Sequence, residues 1–284
     1  MNSSSPRRIG RGLAVGACAA LGLFLSIPAH AATVSGGVLT LNLDRDALIA
    51  GTHLDNFPDA PTSEFPTCCR PSIYLEEFYD TAAASTRTFV QIRDDNTPNL
   101  YDLIPDEISA VGLQFTVNGP TAPNPPARAN QPTTFSFDPG NLFGTATGKI
   151  GLGGVMRFRV DVAPPTNRAM IGDMALEYHP ELEGATPGRS GWLLENYIRF
   201  QADAFELFDV TTLLVGNSLT VSGELGFGWG FDHLGAEEAR LAQARIGTFS
   251  FATTVVPVPA AAWLFVSGLA GLLGTLRFRR ASTP

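Results

Sequence analysis

The sequence contains a single lysine, Lys149, and only 16% of its 284 residues carry a charged side chain. Proteins that bind nucleic acid or anionic lipid use clusters of lysine and arginine. The formal net charge is −8, and it becomes −14 when the three arginines near each end of the chain are set aside. We therefore expect no nucleic-acid partner and no basic binding patch in the central part of the chain.

Cysteine is nearly absent as well. Cys18 lies in an N-terminal apolar run, and Cys68 and Cys69 are adjacent to each other. Two neighbouring cysteines cannot staple distant parts of a fold, so a disulfide-rich scaffold is excluded. In an oxidising compartment we expect a vicinal disulfide, with pairing between chains and free thiols as the alternatives. A metal site at this pair is disfavoured, because no ligand residues repeat beside it at a suitable spacing.

Signatures of enzymes are missing too. Ser190 and Ser222 do not lie in a Gly-x-Ser-x-Gly elbow, and the glycines of 151–154 lack the phosphate-binding fingerprint. Carboxylate pairs of the kind that hydrolyse glycosides form only in space, so the sequence does not select among the available glutamates. We predict no catalytic residue. These glutamates are Glu76, Glu77, Glu181, Glu183 and Glu195.

Metal-binding patterns are weak. Several residues with oxygen ligands lie between Asp94 and Asp102, so calcium stays open as a cofactor. The stretch is not an EF-hand, because the sixth and twelfth positions are Asn99 and Pro105, where glycine and glutamate are needed. A solvated acidic turn is favoured there. His233 and Glu237 lie four residues apart, a spacing that zinc can use in a helix, although a surface hydrogen bond is favoured. We therefore predict no metal site.

The N-terminus is a recognisable targeting segment. Arg7, Arg8 and Arg11 precede the apolar run Leu13–Ile27, and Ala29-His30-Ala31 has the small residues of a cleavage site. This order is typical of a secretory signal peptide. The sequence therefore predicts a signal peptide over 1–31, removal of it after Ala31, and a mature protein that begins at Ala32.

The C-terminus carries a second apolar run. Residues 260–276 contain no charge and would form a helix of about 25 Å, at the short end of what spans a bilayer. Prolines Pro257 and Pro259 precede the run. The arginines that follow it are expected on the cytoplasmic side. These arginines are Arg277, Arg279 and Arg280. A plain tail anchor is the alternative to a sorting signal, and it is disfavoured because the span is short and ends almost at the C-terminus.

The three parts of this tail resemble the PEP-CTERM sorting signal of Gram-negative bacteria. The match is to the variant that reads Val-Pro-x-Pro-Ala-Ala-x-Trp-Leu-Phe, here over 256–265, with Val258 between the prolines where the family usually has glutamate. The resemblance implies that an exosortase-type membrane protease is a partner. The tail would hold the precursor transiently in the inner membrane, and the protease would cut near the proline motif and deliver the body to the cell surface or beyond. The sorting signal would then cover 256–284.

The central residues 32–255 predict a body made of short strands. Strict alternation of apolar and polar residues is clearest over 108–117, and the abundant glycine and proline suit a turn-rich fold. We predict an antiparallel β-sandwich or jelly roll. One strand is expected over 149–162, with Arg157 and Arg159 sharing a face. Another is expected over 88–93. Helices are expected over 72–81 and 236–245, and a long loop over 119–132.

Two classes of function fit these features. The first is a non-enzymatic, exported protein of the surface or extracellular matrix that associates with exopolysaccharide. The second is a secreted hydrolase that acts on polysaccharide through carboxylates that the sequence does not identify. Trp192, Phe227 and Trp229 offer aromatic faces that stack on sugars, although burial in the core is favoured for aromatic residues.

Overall fold

A computed structural model describes residues 31–52, 73–94, 107–160 and 168–257. The predicted leader up to His30, the Cys68-Cys69 pair, His53 and the tail from Val258 onward lie outside these ranges. So does the calcium-type loop beyond Asp94. None of the helices in the described ranges combines the length and the apolar character that crossing a bilayer requires.

Strands dominate the described residues, and the helices are short. The strands are β1 (Ala32–Leu43), β2 (Ile73–Tyr79), β3 (Val111–Val117), β4 (Ser136–Phe137), β5 (Lys149–Gly153), β6 (Val155–Val160), β7 (Arg168–Gly172), β8 (Ala175–Tyr178), β9 (Arg189–Asn196), β10 (Ala202–Val215), β11 (Ser218–Phe227) and β12 (Arg245–Pro257). The α-helices are α1 (Arg45–Gly51), α2 (Thr81–Ser85), α3 (Phe89–Asp94), α4 (Leu142–Thr145) and α5 (Glu237–Leu241), and 3-10 helices cover Pro180–Leu182 and Trp229–Leu234.

Eight antiparallel strands close into a barrel in the order β1, β12, β11, β10, β9, β8, β5, β3. Closure depends on β1, which pairs with β12 along one edge and with β3 along the other. The predicted mainly antiparallel β class is confirmed. A sandwich or jelly roll leaves sheet edges open, whereas here the long strand β1 has partners on both sides, so the sheet closes on itself.

Side chains fill the barrel interior. Strand residues alternate between the two faces of a sheet, and the inward set is almost entirely aliphatic and aromatic. Trp192, Phe115, Phe205 and Phe251 are at most 1% exposed. Rings of Phe135, Tyr178 and Phe143 pack around the Trp192 indole. The interior therefore serves as the core, and functional groups must lie outside it.

A second sheet of three strands, β2-β6-β7, is covalently continuous with the barrel. The chain leaves β5 and enters β6 at Gly154, whose φ of +128° is a conformation that residues with a Cβ rarely adopt. A Cβ there would lie 2.9 Å from the ring of Phe115. The single strand predicted over 149–162 was therefore wrong, because Gly154 divides it between two sheets.

Two further predictions of secondary structure were wrong: a predicted helix is a strand, and a predicted strand is a helix. The helix predicted over 72–81 is strand β2, whose Ile73, Tyr74 and Leu75 are all buried and pair with β6. The strand predicted over 88–93 is helix α3. Thr88 accepts from the Gln91 amide while the Gln91 side chain accepts from the Thr88 amide, which is a capping box that starts a helix.

The two ends of the predicted body meet in the barrel wall. Ala32 on β1 is the register partner of Pro257 on β12. The long loop over 119–132 is confirmed as free of strands. The helix expected over 236–245 is confined to α5, because Arg245 already belongs to β12.

Candidate functional site

One polar cluster on the outer surface of β8 and β9 contains a histidine and two glutamates. We call Glu177, His179 and Glu195 the histidine cluster. Leu176 and Leu194 point inward and are fully buried, so the adjacent Glu177 and Glu195 point outward. His179 follows Glu177 by two residues and therefore lies on the same face. The pairing of Glu177 with Leu193 places Glu195 diagonally across from Glu177.

The three side chains converge on one point. His179 Nε2 lies 3.6 Å from Glu195 Oε1 and 3.9 Å from Glu177 Oε2. One ligand-type atom from each of the three residues lies within 4.8 Å of the other two. Both nitrogen–oxygen distances exceed a hydrogen bond. The Nε2 atom is buried and has no hydrogen-bond partner among the residues that the structure describes.

The other imidazole nitrogen is engaged. His179 Nδ1 lies 3.2 Å from Glu181 Oε1, in the 3-10 helix that directly follows His179. A carboxylate can only accept, so Nδ1 is the nitrogen that carries the proton in this contact. In the neutral imidazole, Nε2 then holds a lone pair that faces two carboxylate oxygens.

The far oxygens of both glutamates are held by hydrogen bonds. The Tyr197 hydroxyl lies 3.0 Å from Glu177 Oε1 and 2.8 Å from Glu195 Oε2. Lys149 Nζ lies 3.0 Å from the same Glu177 oxygen and donates to Tyr197, while Gln201 donates to Glu195 Oε2. Burial and the two negative carboxylates raise the pKa of Tyr197 well above its usual range, so the phenol stays protonated. Only the oxygens that face His179 remain for another ligand.

A third carboxylate lies beside this cluster. Asp203 on β10 is the register partner of Glu195. Burial raises the pKa of Asp203, and the charge of Glu195 adds to the rise. The Trp229 side chain offsets part of this rise in the pKa of Asp203 and is 49% exposed. A half-exposed indole thus stands next to an acidic surface.

An apolar groove lies on the other side of the β9–β10 connection. It runs between β7, the start of β10 and the 3-10 helix Trp229–Leu234, and has a volume of about 100 Å³. Phe200, 46% exposed, stands at its rim with its ring against the edge of His233. Burial lowers the pKa of His233, so this histidine is neutral near pH 7. The groove is lined by Phe89, Met170, Ile198, Phe200, Phe231 and His233.

The small sheet holds a different polar cluster, which we call the arginine cluster: Glu76, Arg157, Arg159 and Arg168. Arg157 and Arg168 each donate to Glu76 Oε2, at 3.0 and 2.8 Å, and Arg159 and Arg168 donate to Oε1 at 3.1 and 3.0 Å. Burial favours the neutral acid, but the three guanidinium groups outweigh it and lower the pKa of Glu76 to about 2. Both carboxylate oxygens are saturated, so this cluster has a structural role.

Most residues singled out from the sequence are separated in the structure. Trp192 and Phe227 are buried, whereas Trp229 is exposed. His233 and Glu237 belong to different helices, divided by the left-handed Gly235. Asp94 is paired with Arg93 at the end of α3. The remaining described residues are distributed as follows: Ser190 donates to the Leu207 carbonyl, Ser222 contacts Thr211, Glu183 accepts from Tyr178, and Glu77 lies 3.9 Å from Arg157.

Sequence reasoning missed the histidine cluster as a unit. Glu195 is among the glutamates that the sequence offers for catalysis, but nothing in the sequence connects it to Glu177 or Tyr197. The available signal was Glu177-x-His179 in extended backbone at the end of β8, because residues two apart in an extended segment share a face. Comparison of the chain with family models, with curated proteins and with solved structures gave no match, so the interpretation of the site depends on its geometry.

Proposed function

We propose that the chain is an exported protein, sorted by an exosortase-type protease, whose barrel binds exopolysaccharide at the cell surface or in the extracellular matrix without chemically changing it. The signal peptide over 1–31 and the PEP-CTERM-like signal over 256–284 direct it out of the cytoplasm. The inner membrane holds the precursor transiently through residues 260–276. The mature body is the barrel.

The observation that best supports this proposal is the pairing of Ala32 with Pro257. Ala32 is the first residue after the predicted leader, and Pro257 is the first proline of the sorting motif. The folded unit thus begins and ends within a few residues of the two predicted cleavage sites. Because the two residues are opposite each other in the barrel wall, removal of both segments would leave every barrel strand essentially complete.

Mass spectrometry of the mature protein tests the sorting part. We expect a mass that corresponds to a start at Ala32 and to loss of the tail near Pro257–Pro259. Replacement of Arg277, Arg279 and Arg280 by glutamine should leave a longer, membrane-held species. A mature population that retains Pro284 would contradict the proposal.

The surface around Trp229 is the proposed polysaccharide contact. The face of an indole stacks against the C–H groups of a sugar ring, and carboxylates accept hydrogen bonds from hydroxyl groups. The Trp229 surface combines both, since the half-exposed indole lies beside the carboxylate of Asp203. Phe200, which precedes β10 by two residues, adds a second exposed ring near the same end of that strand.

A glycan-binding screen tests this contact. We expect Trp229→Ala to weaken binding at least tenfold. The matched control is Val111→Ala, which removes an apolar side chain that is 64% exposed on β3, on the opposite side of the barrel. Equal binding by wild type and Trp229→Ala would rule out this surface as the contact.

A polysaccharide hydrolase is the second candidate, and the pairing of Glu195 with Asp203 favours it. Glycosidases use two carboxyl groups, one of which must be protonated as the acid. The raised pKa of Asp203, which lies beside Glu195, favours the protonated form that such an acid needs. Hydrolysis of a bound glycan that disappears in Asp203→Asn would establish the enzyme and overturn the non-enzymatic proposal. Binding without turnover would eliminate the hydrolase.

A further inference from the structure

The three facing atoms of the histidine cluster lie close together without a hydrogen bond between them. Two carboxylate oxygens and one imidazole nitrogen face each other at 3.6 and 3.9 Å. Two anionic oxygens and a lone pair repel each other unless a positive group lies between them. A proton on Nε2 is one such group, and a metal ion is the other.

The distances favour a metal ion. Zinc binds histidine nitrogen and carboxylate oxygen at about 2.0–2.2 Å, so adjacent ligands of a tetrahedral site lie about 3.4 Å apart. The two observed distances exceed this value by only a few tenths of an ångström. By contrast, a proton shared between Nε2 and a carboxylate would require about 2.7–2.9 Å.

The residues around the three proposed ligands hydrogen-bond to them in the way that residues around a metal site orient its ligands. A ligating histidine usually gives its other ring N–H to a carboxylate, and Glu181 occupies that position against Nδ1. Ligating carboxylates are usually held by hydrogen bonds on their other oxygen. Tyr197 and Gln201 do this for Glu195, and Tyr197 and Lys149 do it for Glu177.

We propose that the histidine cluster is a divalent-cation site of the zinc class, with His179 Nε2, Glu177 Oε2 and Glu195 Oε1 as its ligands. Three protein ligands leave one coordination position for water or another ligand, as in zinc sites that are open to solvent. The His179 side chain is 29% exposed, which provides a path for the ion. Calcium and magnesium fit poorly, because they take six or more oxygen ligands or an octahedral shell. This proposal does not depend on the proposed function.

Calorimetric titration of the full, untagged chain with Zn²⁺ tests the site. Cys18, Cys68 and Cys69 are first replaced by serine so that no thiol contributes, and bound metal is removed with EDTA and dialysis. We expect one zinc per chain with a dissociation constant in the micromolar range or below. With Co²⁺ as the probe, a tetrahedral absorption band should appear in the visible spectrum.

Variants then assign the ligands. His179→Ala and Glu195→Gln should each weaken zinc binding at least tenfold, and Glu181→Gln should weaken it about tenfold through the second layer. His233→Ala is the matched histidine control and Glu183→Gln the matched carboxylate control. Both should bind zinc as the parent does.

Two outcomes would overturn the proposal. One is an unchanged affinity in His179→Ala, and the other is a parent protein that gives neither heat with Zn²⁺ nor a visible band with Co²⁺. If His179→Ala does not fold by circular dichroism, the comparison of Glu181→Gln with Glu183→Gln decides, because both of these residues lie at the surface. Equal zinc affinity in that pair would also count against the site.

Discussion

The arginine cluster and the histidine cluster both contain glutamates that are largely shielded from water, but the two clusters surround them with opposite charge. Glu76 is surrounded by three guanidinium groups that occupy both of its oxygens. Glu177 and Glu195 share the Tyr197 phenol, Glu177 also pairs with the ammonium group of Lys149, and each glutamate keeps one oxygen directed at His179 Nε2. The first arrangement has an excess of positive charge and the second an excess of negative charge.

This difference separates a structural role from a binding role. A saturated carboxylate has no electron pair left for a ligand, so its interactions serve the fold. An unsaturated pair of carboxylates costs free energy in the folded protein until a cation arrives, and such a cost is typical of binding sites. The arginine cluster should therefore control stability, whereas the histidine cluster should control affinity for metal.

The largest effect is expected from Glu76→Gln. It removes the carboxylate that accepts from all three arginines of the cluster, and Arg157 is 1% exposed. Breaking a buried ion pair by removing one partner costs about 3–5 kcal/mol, because the other charge stays buried. Urea unfolding monitored by circular dichroism measures the loss.

Glu77→Gln is the control for this prediction. Glu77 is adjacent in sequence but 32% exposed and 3.9 Å from Arg157, so its loss should cost less than about 1 kcal/mol. Equal destabilisation by the two variants would contradict the assignment of stability to Glu76.

The next effect concerns acid. The pKa of Glu76 falls from 4.5 to about 2 on folding, so its contribution to stability is complete above the unfolded pKa and is lost as the pH falls toward 2. Wild type should therefore lose more stability than Glu76→Gln between about pH 5 and pH 2. Asp203 and Glu206 have raised pKa values and act in the opposite direction, but equally in both proteins, so they cancel in the difference.

Sequence alone predicted the barrel strands well because their signals are local. Buried and exposed residues alternate over 113–116 in β3 and over 249–256 in β12, and the turn at Gly216-Asn217 joins β10 to β11 as the turn residues indicate. The errors arose where a distant partner decides the structure. Residues 73–79 form a strand because β6 is available to pair with them, and the misassigned helix kept Glu76 apart from Arg157 and Arg159.

The histidine cluster shows the same limit. The pattern Glu177-x-His179 places two ligands on one face, but the third ligand comes from the neighbouring strand. Its position depends on the register of β8 with β9, which is set by the connection over 179–188 and its 3-10 helix. Gly191 illustrates this dependence. It lies near the start of β9, where its φ of +78° and its close approach to the His179 carbonyl depend on the folded connection and produce no periodic pattern in the sequence.

A moderate effect is expected from Tyr197→Phe. Loss of the hydroxyl leaves Glu177 and Glu195 without a shared donor, which should cost about 1–3 kcal/mol near neutral pH. Because folding raises the pKa of Tyr197, the stability it provides is complete below the unfolded pKa of about 10 and is lost as the pH rises through the folded value. The difference between wild type and variant should therefore shrink in strong alkali.

Tyr178→Phe is the matched control for Tyr197→Phe. The Tyr178 hydroxyl donates to the surface residue Glu183, and burial together with Glu183 raises the pKa of Tyr178 to about 12. Its loss should cost less than the loss of Tyr197 and should leave the histidine cluster unchanged. A larger destabilisation by Tyr178→Phe would show that Tyr197 is not the main support of the two glutamates.

The smallest effect on stability, and the sharpest test of the comparison, is expected from Lys149→Gln. Lys149 is 27% exposed and lies 3.0 Å from Glu177, so its loss should cost the metal-free protein at most about 1 kcal/mol. The same change removes a cation that competes with a metal for Glu177. Zinc affinity should therefore rise at least about threefold, since repulsion between two positive charges several ångströms apart is removed.

Arg245→Gln, which removes a surface arginine paired with Glu224, is the control for Lys149→Gln and should leave zinc affinity unchanged. A fall in zinc affinity in Lys149→Gln would mean that the ammonium group positions the carboxylate more than it repels the ion, and the contrast between the two clusters would then be one of geometry and not of charge.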